Sequence, residues 1–215
     1  MQIHVVTEGE TVDTIAQAYG VPADILIFDN QLVYPYKLAI GQALYIPTYD
    51  SFQERSLAQI SGYAYPYISP WVLGQTLPYL TELPIFSYGF TSEGWLVPPA
   101  VSEEWMIEMC RTQTVIPFLT LTPLDTEGKF NNSLIASVVW DMESGNRLIQ
   151  ELIRTMQEKG YGGVDIDFEY IRREDRDAFT EFVQRAADAI HASGYRISIA
   201  LAPKTSADQR GLLYE

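Results

Sequence analysis

Residues 162–170, GGVDIDFEY, alternate acidic and apolar side chains between two long helical stripes, and this arrangement restricts the fold more than any other feature of the chain. Upstream, Leu148, Ile149, Leu152, Ile153 and Met156 recur at helical spacing within 141–159. Downstream, Phe179, Phe182, Val183, Ala186, Ala187 and Ile190 do the same within 173–193. Gly160 and Gly194 stand where those helices must stop. A strand set between helices predicts a βαβ arrangement and therefore a parallel sheet.

The rest of the second half follows the same grammar. ISGYAYPYI, LPIFSYGF, TVIPFLTLTP and YRISIALAPK each read as a strand of mixed apolar and aromatic residues, and a further helical pattern covers roughly 101–112. Strands alternating with helices give an α/β fold, either an open doubly wound sheet or a (β/α)8 barrel.

On a strand, Asp165, Asp167 and Glu169 share one face at about 6.6 Å between neighbours, while Val164, Ile166 and Phe168 take the other. In a barrel the apolar set packs outward under the helices and the acids point inward, with Glu169 at the C-terminal end of the strand, where barrel active sites are built. Crowded carboxylates do not all ionise cheaply. One of them is expected to keep a proton and so to serve as a general acid near neutrality. From the residues alone, a divalent metal site, the solvated face of an edge strand and a binding-only site compete with this reading. An EF-hand loop is a poor match, because Tyr170 rather than Gly follows Glu169.

Tyr63, Tyr65 and Tyr67 alternate on the first strand, and Phe86, Tyr88 and Phe90 on the second. Tyr63 and Tyr88 are candidates to face the barrel mouth and offer a flat ring to a ligand, with core packing as the competing role. Trp95, in the loop after the second strand, is a further candidate platform.

Residues 1–47 follow a different plan. IHVV reads as a strand, and Val12, Ile15, Ala16 and Tyr19 form a helix closed by Gly20. Pro22 opens a second helix with Ile25, Leu26 and Phe28 as its apolar contacts, and AIGQALYIP ends the unit with a turn and a strand. The unit is a βααβ module; TYDSFQERS, within 48–56, is a polar linker, and the second domain runs from 57 to 215.

Charge narrows the partners. Fourteen Lys and Arg stand against 28 Asp and Glu, for a net charge of -14, which repels nucleic acid and anionic membrane at long range and favours a neutral partner. The single Cys110 excludes an internal disulfide framework and reads as a packed thiol, and His4 and His191 are too far apart in sequence to suggest a metal site. No cofactor is called for. The N-terminus lacks a basic segment followed by an apolar one, and no run approaches the ~18 apolar residues of a membrane span.

Two resemblances sharpen this. V-x-x-G-E-T-V-x-x-I-A-x-x-Y-G-V, then D-N-Q-L, then L-x-I-G-Q-x-L-Y-I-P resemble a LysM domain over the whole of 1–47. That family binds glycans containing N-acetylglucosamine, such as peptidoglycan and chitin, in a shallow groove. The resemblance implies a groove formed by Glu8, Gly9, Glu10 and Thr11 with Asn30, Gln31 and Leu32. G-G-V-D-I-D-F-E resembles the D-G-x-D-x-D-x-E signature on the fourth barrel strand of glycoside hydrolase family 18. The resemblance implies that Glu169 is the acid/base, that Asp167 supports the substrate acetamido group and that Asp165 is its charge partner. Gly162 departs from the signature, which has Asp there.

The two together look most like bacterial spore cortex-lytic N-acetylglucosaminidases, which cleave by a substrate-assisted retaining mechanism. A (β/α)8 barrel needs about 250 residues and eight strands, whereas 57–215 supplies five. The expectation is therefore an incomplete barrel with open sheet edges, prone to self-association. A spore or cell-wall location is implied. A non-catalytic wall-binding protein is the alternative function, and peptidoglycan and chitin both remain as substrates.

Overall fold

The structure, a computed structural model, describes residues 2–47, 58–201 and 206. The chain divides into two compact units, Met1–Ala58 and Gln59–Glu215. The expected linker, 48–56, lies outside the described residues.

In the first unit, β1 (Gln2–Val5) pairs antiparallel with β2 (Ala43–Ile46), Gln2 opposite Ile46 and Val5 opposite Ala43. Between them run α1 (Val12–Tyr19) and α2 (Ala23–Asp29). Thr11 caps α1 reciprocally: its hydroxyl accepts from the Thr14 N–H at 3.2 Å, and the Thr14 hydroxyl accepts from the Thr11 N–H at 2.8 Å. Gly20, at φ +67°, closes α1 in the left-handed conformation. Val6, Val12, Ile15, Ala16, Leu26, Leu44 and Ile46 form the core. Phe28 corrects the expectation of a core contact. It is exposed, because the seven-residue α2 turns Ala23, Leu26 and Ile27 inward and leaves Phe28 on the opposite side.

The second unit contains α3 (Pro70–Thr76), β3 (Glu82–Phe90), β4 (Leu96–Val97), α4 (Glu104–Thr112), β5 (Ile116–Leu121), α5 (Ser133–Trp140), α6 (Met142–Lys159), β6 (Gly163–Ile166), α7 (Arg176–Ala192) and β7 (Arg196–Ile199). The sheet order is β4-β3-β5-β6-β7. The run β3, β5, β6, β7 is parallel, as the alternation of elements requires, and β4 adds antiparallel to the end of β3. Residues 61–64 run parallel to β3 through bridges from Ser61 to Glu82 and from Ala64 to Ile85. The expected first strand is thus short, and Pro66, which has no N–H to donate, follows where the pairing stops.

Helix α5 is absent from the sequence reading for a physical reason. SLIASVVW is apolar almost throughout, so it lacks a polar face to mark its period, although Leu134, Ile135, Val138 and Val139 form its buried stripe. Leu148, Leu152 and Met156 of α6 and Phe182, Ala186 and Ile190 of α7 cover the face of the sheet that carries Val164, Ile166 and Phe168. Cys110 is buried in the same core, and desolvation pushes its thiol up to about 12. No helix among the described residues is long and apolar enough to cross a membrane.

Gly162 has a specific reason to be glycine here. A Cβ at this position would stand 2.3 Å from Ile116 Cγ2 on the neighbouring strand, while the Gly162 N–H donates to Pro117 O at 2.9 Å. Gly162→Ala is expected to lower stability by about 1–3 kcal/mol through overpacking. Adding Ile116→Ala should recover part of that loss, so the double variant falls less than the two single losses combined in urea unfolding.

Candidate active site

Strand β6 ends at Ile166, but its ladder continues one step further, with the Asp167 N–H donating to Leu121 O at 2.9 Å and the Ala200 N–H to Ile166 O at 3.0 Å. The alternation persists through residue 169. Val164, Ile166 and Phe168 are fully buried, and the Phe168 ring packs against Phe90, Phe179 and Phe182 at 5.4, 6.0 and 6.4 Å between centroids. On the other face exposure rises along the chain: Asp165 is 2% exposed, Asp167 half-buried and Glu169 exposed.

The buried acid is partnered as burial demands. Asp165 Oδ2 accepts from the Tyr63 hydroxyl at 2.8 Å and Oδ1 from the Ser198 hydroxyl at 2.6 Å. Thr120, Asp165 and Ser198 lie in register on adjacent strands, so the three side chains share one face. Burial pushes the Asp167 carboxyl up to about 6, assisted by the charges of Glu169 and Asp165. The carboxyl lifted toward neutrality is thus that of Asp167. Burial, then the bond to Asp165, pushes the Tyr63 hydroxyl up as well, so it remains a donor.

Asp167 and Glu169 open into a cleft of about 440 Å³, walled by Tyr65, Phe86, Pro123, Phe130, Asn132 and Tyr170. Apart from Phe86, which lies within β3, these lie beyond the C-terminal ends of the parallel strands. Tyr65 stacks between Tyr67 and Phe86 at 5.0 and 4.7 Å, and Phe86 meets Tyr63 at 5.1 Å. The wall is therefore a stack of rings reaching from Tyr63, which bonds Asp165, to the exposed Tyr67. Among the described residues, no three His, Cys, Asp or Glu side chains converge as a metal site would require.

Tyr63 thus joins the acids, and Tyr88 does not. The pairing of β3 with β5 slips between Ile85 and Tyr88, which breaks the period-two alternation and separates Tyr88 from the face that Phe86 occupies. Tyr88 is 2% exposed, and its hydroxyl donates at 2.5 Å to Glu103 Oε1, which also accepts from Lys159 and Tyr161. Trp95 is half-exposed but does not line the cleft; the Arg147 guanidinium lies 5.0 Å from its ring centre. The sequence reading missed Phe130, Asn132 and Tyr170. The available signal was their position in the connections that follow the third and fourth strands.

Residues 4–47 match the LysM domain model, and residues 127–213 match the model for glycosyl hydrolases family 18. The first unit is thus similar to a LysM domain and the second to part of a family 18 barrel. It is 31% identical over 266 residues to the cortical fragment-lytic enzyme of Bacillus subtilis, an alignment that covers 100% of this chain and 61% of that enzyme. The crystal structure of the Bacillus cereus spore cortex-lytic enzyme SleL matches with a TM-score of 0.66 at 27% identity, over 97% of this chain and 48% of that one. The Bacillus megaterium enzyme of the same name matches with a TM-score of 0.69 at 23% identity, over 99% and 49% respectively, and shows the shared fold. This chain therefore spans roughly half to three-fifths of the length of these relatives.

In the LysM domain, the residues expected to form one groove are divided. Glu10 and Thr11 line a recess of about 620 Å³ with Tyr36 and Lys37. Gln31 and Leu32 line another of about 750 Å³ with Phe28 and, again, Tyr36. Gly9, at φ +83°, serves the turn, and Glu8 is exposed beside it. Glu10 Oε2 accepts from the Thr7 N–H at 2.6 Å and meets His4 Nε2 at 2.9 Å. The Thr7 backbone bond leads in holding its carboxyl below the usual range.

Asn30 is a correction. Its amide donates to Leu26 O at 2.9 Å and Tyr45 O at 2.8 Å, and its carbonyl accepts from the Tyr45 N–H at 2.7 Å. Its amide is therefore committed to closing the end of α2, through Leu26, and to latching it onto β2, through Tyr45. Asn30→Ala is expected to destabilise the domain by about 1–3 kcal/mol, because it strands backbone groups of Tyr45 and Leu26; chemical denaturation checks this.

For Asp167, the folded state keeps a proton between about pH 4 and 6 that the unfolded chain releases, so this group lowers stability as pH rises through that window. Asp167→Asn is accordingly expected to melt higher than the parent at pH 7, with the gap closing near pH 3.5, in thermal scans at both pH values.

Proposed function

We propose that this protein is a glycoside hydrolase that cleaves N-acetylglucosaminyl linkages in the peptidoglycan of the spore cortex, with its LysM domain holding it on the same polymer. The observation that carries the reading is the gradient from buried Asp165, through half-buried Asp167, to exposed Glu169 at the edge of an aromatic-walled cleft. Supporting it are the match of this segment to glycosyl hydrolases family 18 and the likeness to cortical fragment-lytic enzymes.

Each acid has a task set by its surroundings. Glu169, in the open cleft, donates a proton to the departing glycosidic oxygen as that bond breaks. The substrate's own 2-acetamido oxygen attacks the anomeric carbon, forming an oxazolinium-type intermediate, so no protein nucleophile is required. Asp167 hydrogen-bonds the acetamido N–H and offsets the positive charge that develops there. Water then adds to the anomeric carbon as its bond to the acetamido oxygen breaks, and gives up a proton to Glu169, for net retention. Asp165, held by Tyr63 and Ser198, fixes the charge beneath Asp167.

The LysM domain raises the local concentration of substrate without adding a contact at the reacting bond. We place the protein at the spore or cell wall for the same reason. The stacked Tyr65 and Phe86 present a flat apolar wall suited to a pyranose ring.

The test is hydrolysis of cortex fragments and of chitin oligomers by the full-length protein and its Glu169→Gln variant. The variant is expected to lose on the order of 10²- to 10⁴-fold in turnover, while still sedimenting with insoluble peptidoglycan. Undiminished turnover in Glu169→Gln would sink the assignment. Turnover of chitin alone would move the substrate away from the cortex, and binding without turnover by the parent would make the protein a wall-binding module.

A further inference from the structure

The chain leaves the carboxylate strand through Tyr170, whose φ is +59°. A bulky aromatic rarely enters this left-handed region, and residues found there cluster where a surrounding structure needs that conformation. Core packing does not account for it, since Tyr170 is 55% exposed. Among the described residues, non-glycine positive φ occurs at Gln31, Tyr36, Thr114 and Tyr170, and of these only Tyr170 lines the cleft with Asp167 and Glu169.

The flanks of Glu169 are then both constrained. On one side Phe168 is fully buried among Phe90, Phe179 and Phe182. On the other, Tyr170 holds the backbone in its turn before the 3-10 segment Arg173–Asp175. Among the described residues, no hydrogen bond or ion pair holds the Glu169 carboxylate. The main chain on either side sets the direction of its Cα–Cβ bond.

We infer that Tyr170 is a positioning residue: its left-handed backbone, rather than a side-chain contact, aims Glu169 into the cleft. The inference rests on the reading of Glu169 as the acid. It adds that the residue after the acid is kept in an unfavourable conformation for the sake of that aim.

Two substitutions separate backbone from ring. Glycine at 170 adopts φ +59° without penalty but also visits other conformations, so Tyr170→Gly should keep or raise the melting temperature while loosening Glu169. The expected result is a fall in kcat on the order of 10- to 100-fold, with KM within about twofold of the parent. Asparagine tolerates the left-handed region among L-residues, so Tyr170→Asn should keep most of kcat despite losing the ring. A parent-like kcat in Tyr170→Gly, or equal losses in the two variants, would overturn the inference, the second result by assigning the effect to the ring.

A measurement that needs no turnover runs beside these. The Glu169 charge helps to raise the Asp167 carboxyl, so NMR titration of Asp167 should show its midpoint moving down in Tyr170→Gly and holding in Tyr170→Asn. Unchanged midpoints in both would overturn the inference. If the parent protein proves not to hydrolyse glycans, the proposed function fails, whereas the titration still decides whether Tyr170 places Glu169.

Discussion

A carboxylate buried in the middle of a sheet has to be given hydrogen bonds, and Asp165 is that carboxylate. Placing an ionisable group where only 2% of it meets water is tolerable because Tyr63 and Ser198 each donate a hydroxyl to it. Those donors come from the segment before β3 and from β7, on either side of the sheet, so one acid ties together strands far apart in sequence. Leaving either oxygen without its donor would carry a penalty of about 1–3 kcal/mol. The same burial sets the electrostatics above it, since the Asp165 charge is one of the influences that lift Asp167 to about 6.

The opposite face of the strand supplies the rigidity. Phe168 lies beneath the helical layer, among three other aromatic rings, and it separates Asp167 from Glu169 in sequence. Because successive residues alternate faces, anchoring the apolar set fixes the acidic set without any need for bonds to the acids themselves. This is why an exposed Glu169 can hold a defined place at the rim. The cleft in turn depends on the parallel strands lying side by side, so that the connections after residue 64, β5 and β6 deliver Tyr65, Phe130 and Tyr170 to the rim where β3 presents Phe86.

Much of this was legible in the residues. Period-two alternation in GVDIDFE and the period-3.6 stripes on both sides of it identified the strand, its two faces and its covering helices. The turn and cap residues of the first 47 positions likewise led to the βααβ order. Legibility failed where a long-range contact overrode a local period. Tyr88 looked equivalent to Phe86, but the slipped register of β3 moved it into the core, where Glu103 and Lys159 meet its hydroxyl. Asn30 looked like a groove residue, but its amide was needed to join α2 to β2. Helix α5 carried no polar face by which to be recognised.

The sequence by itself determined the alternation that places three acids on one face, the helices that cover the other, and the two-unit order of the chain, because these follow from side-chain period and from residues that stop helices. Only the tertiary structure decided which acid is buried, that Asp167 is lifted toward neutrality and which acid stands open to the cleft. Those differences depend on how far each residue lies from the end of the sheet and on which hydroxyls neighbouring strands bring to it, and neither distance is written in local spacing. The aromatic wall is likewise a product of the assembled sheet, since its rings come from separate connections that meet only when the strands align.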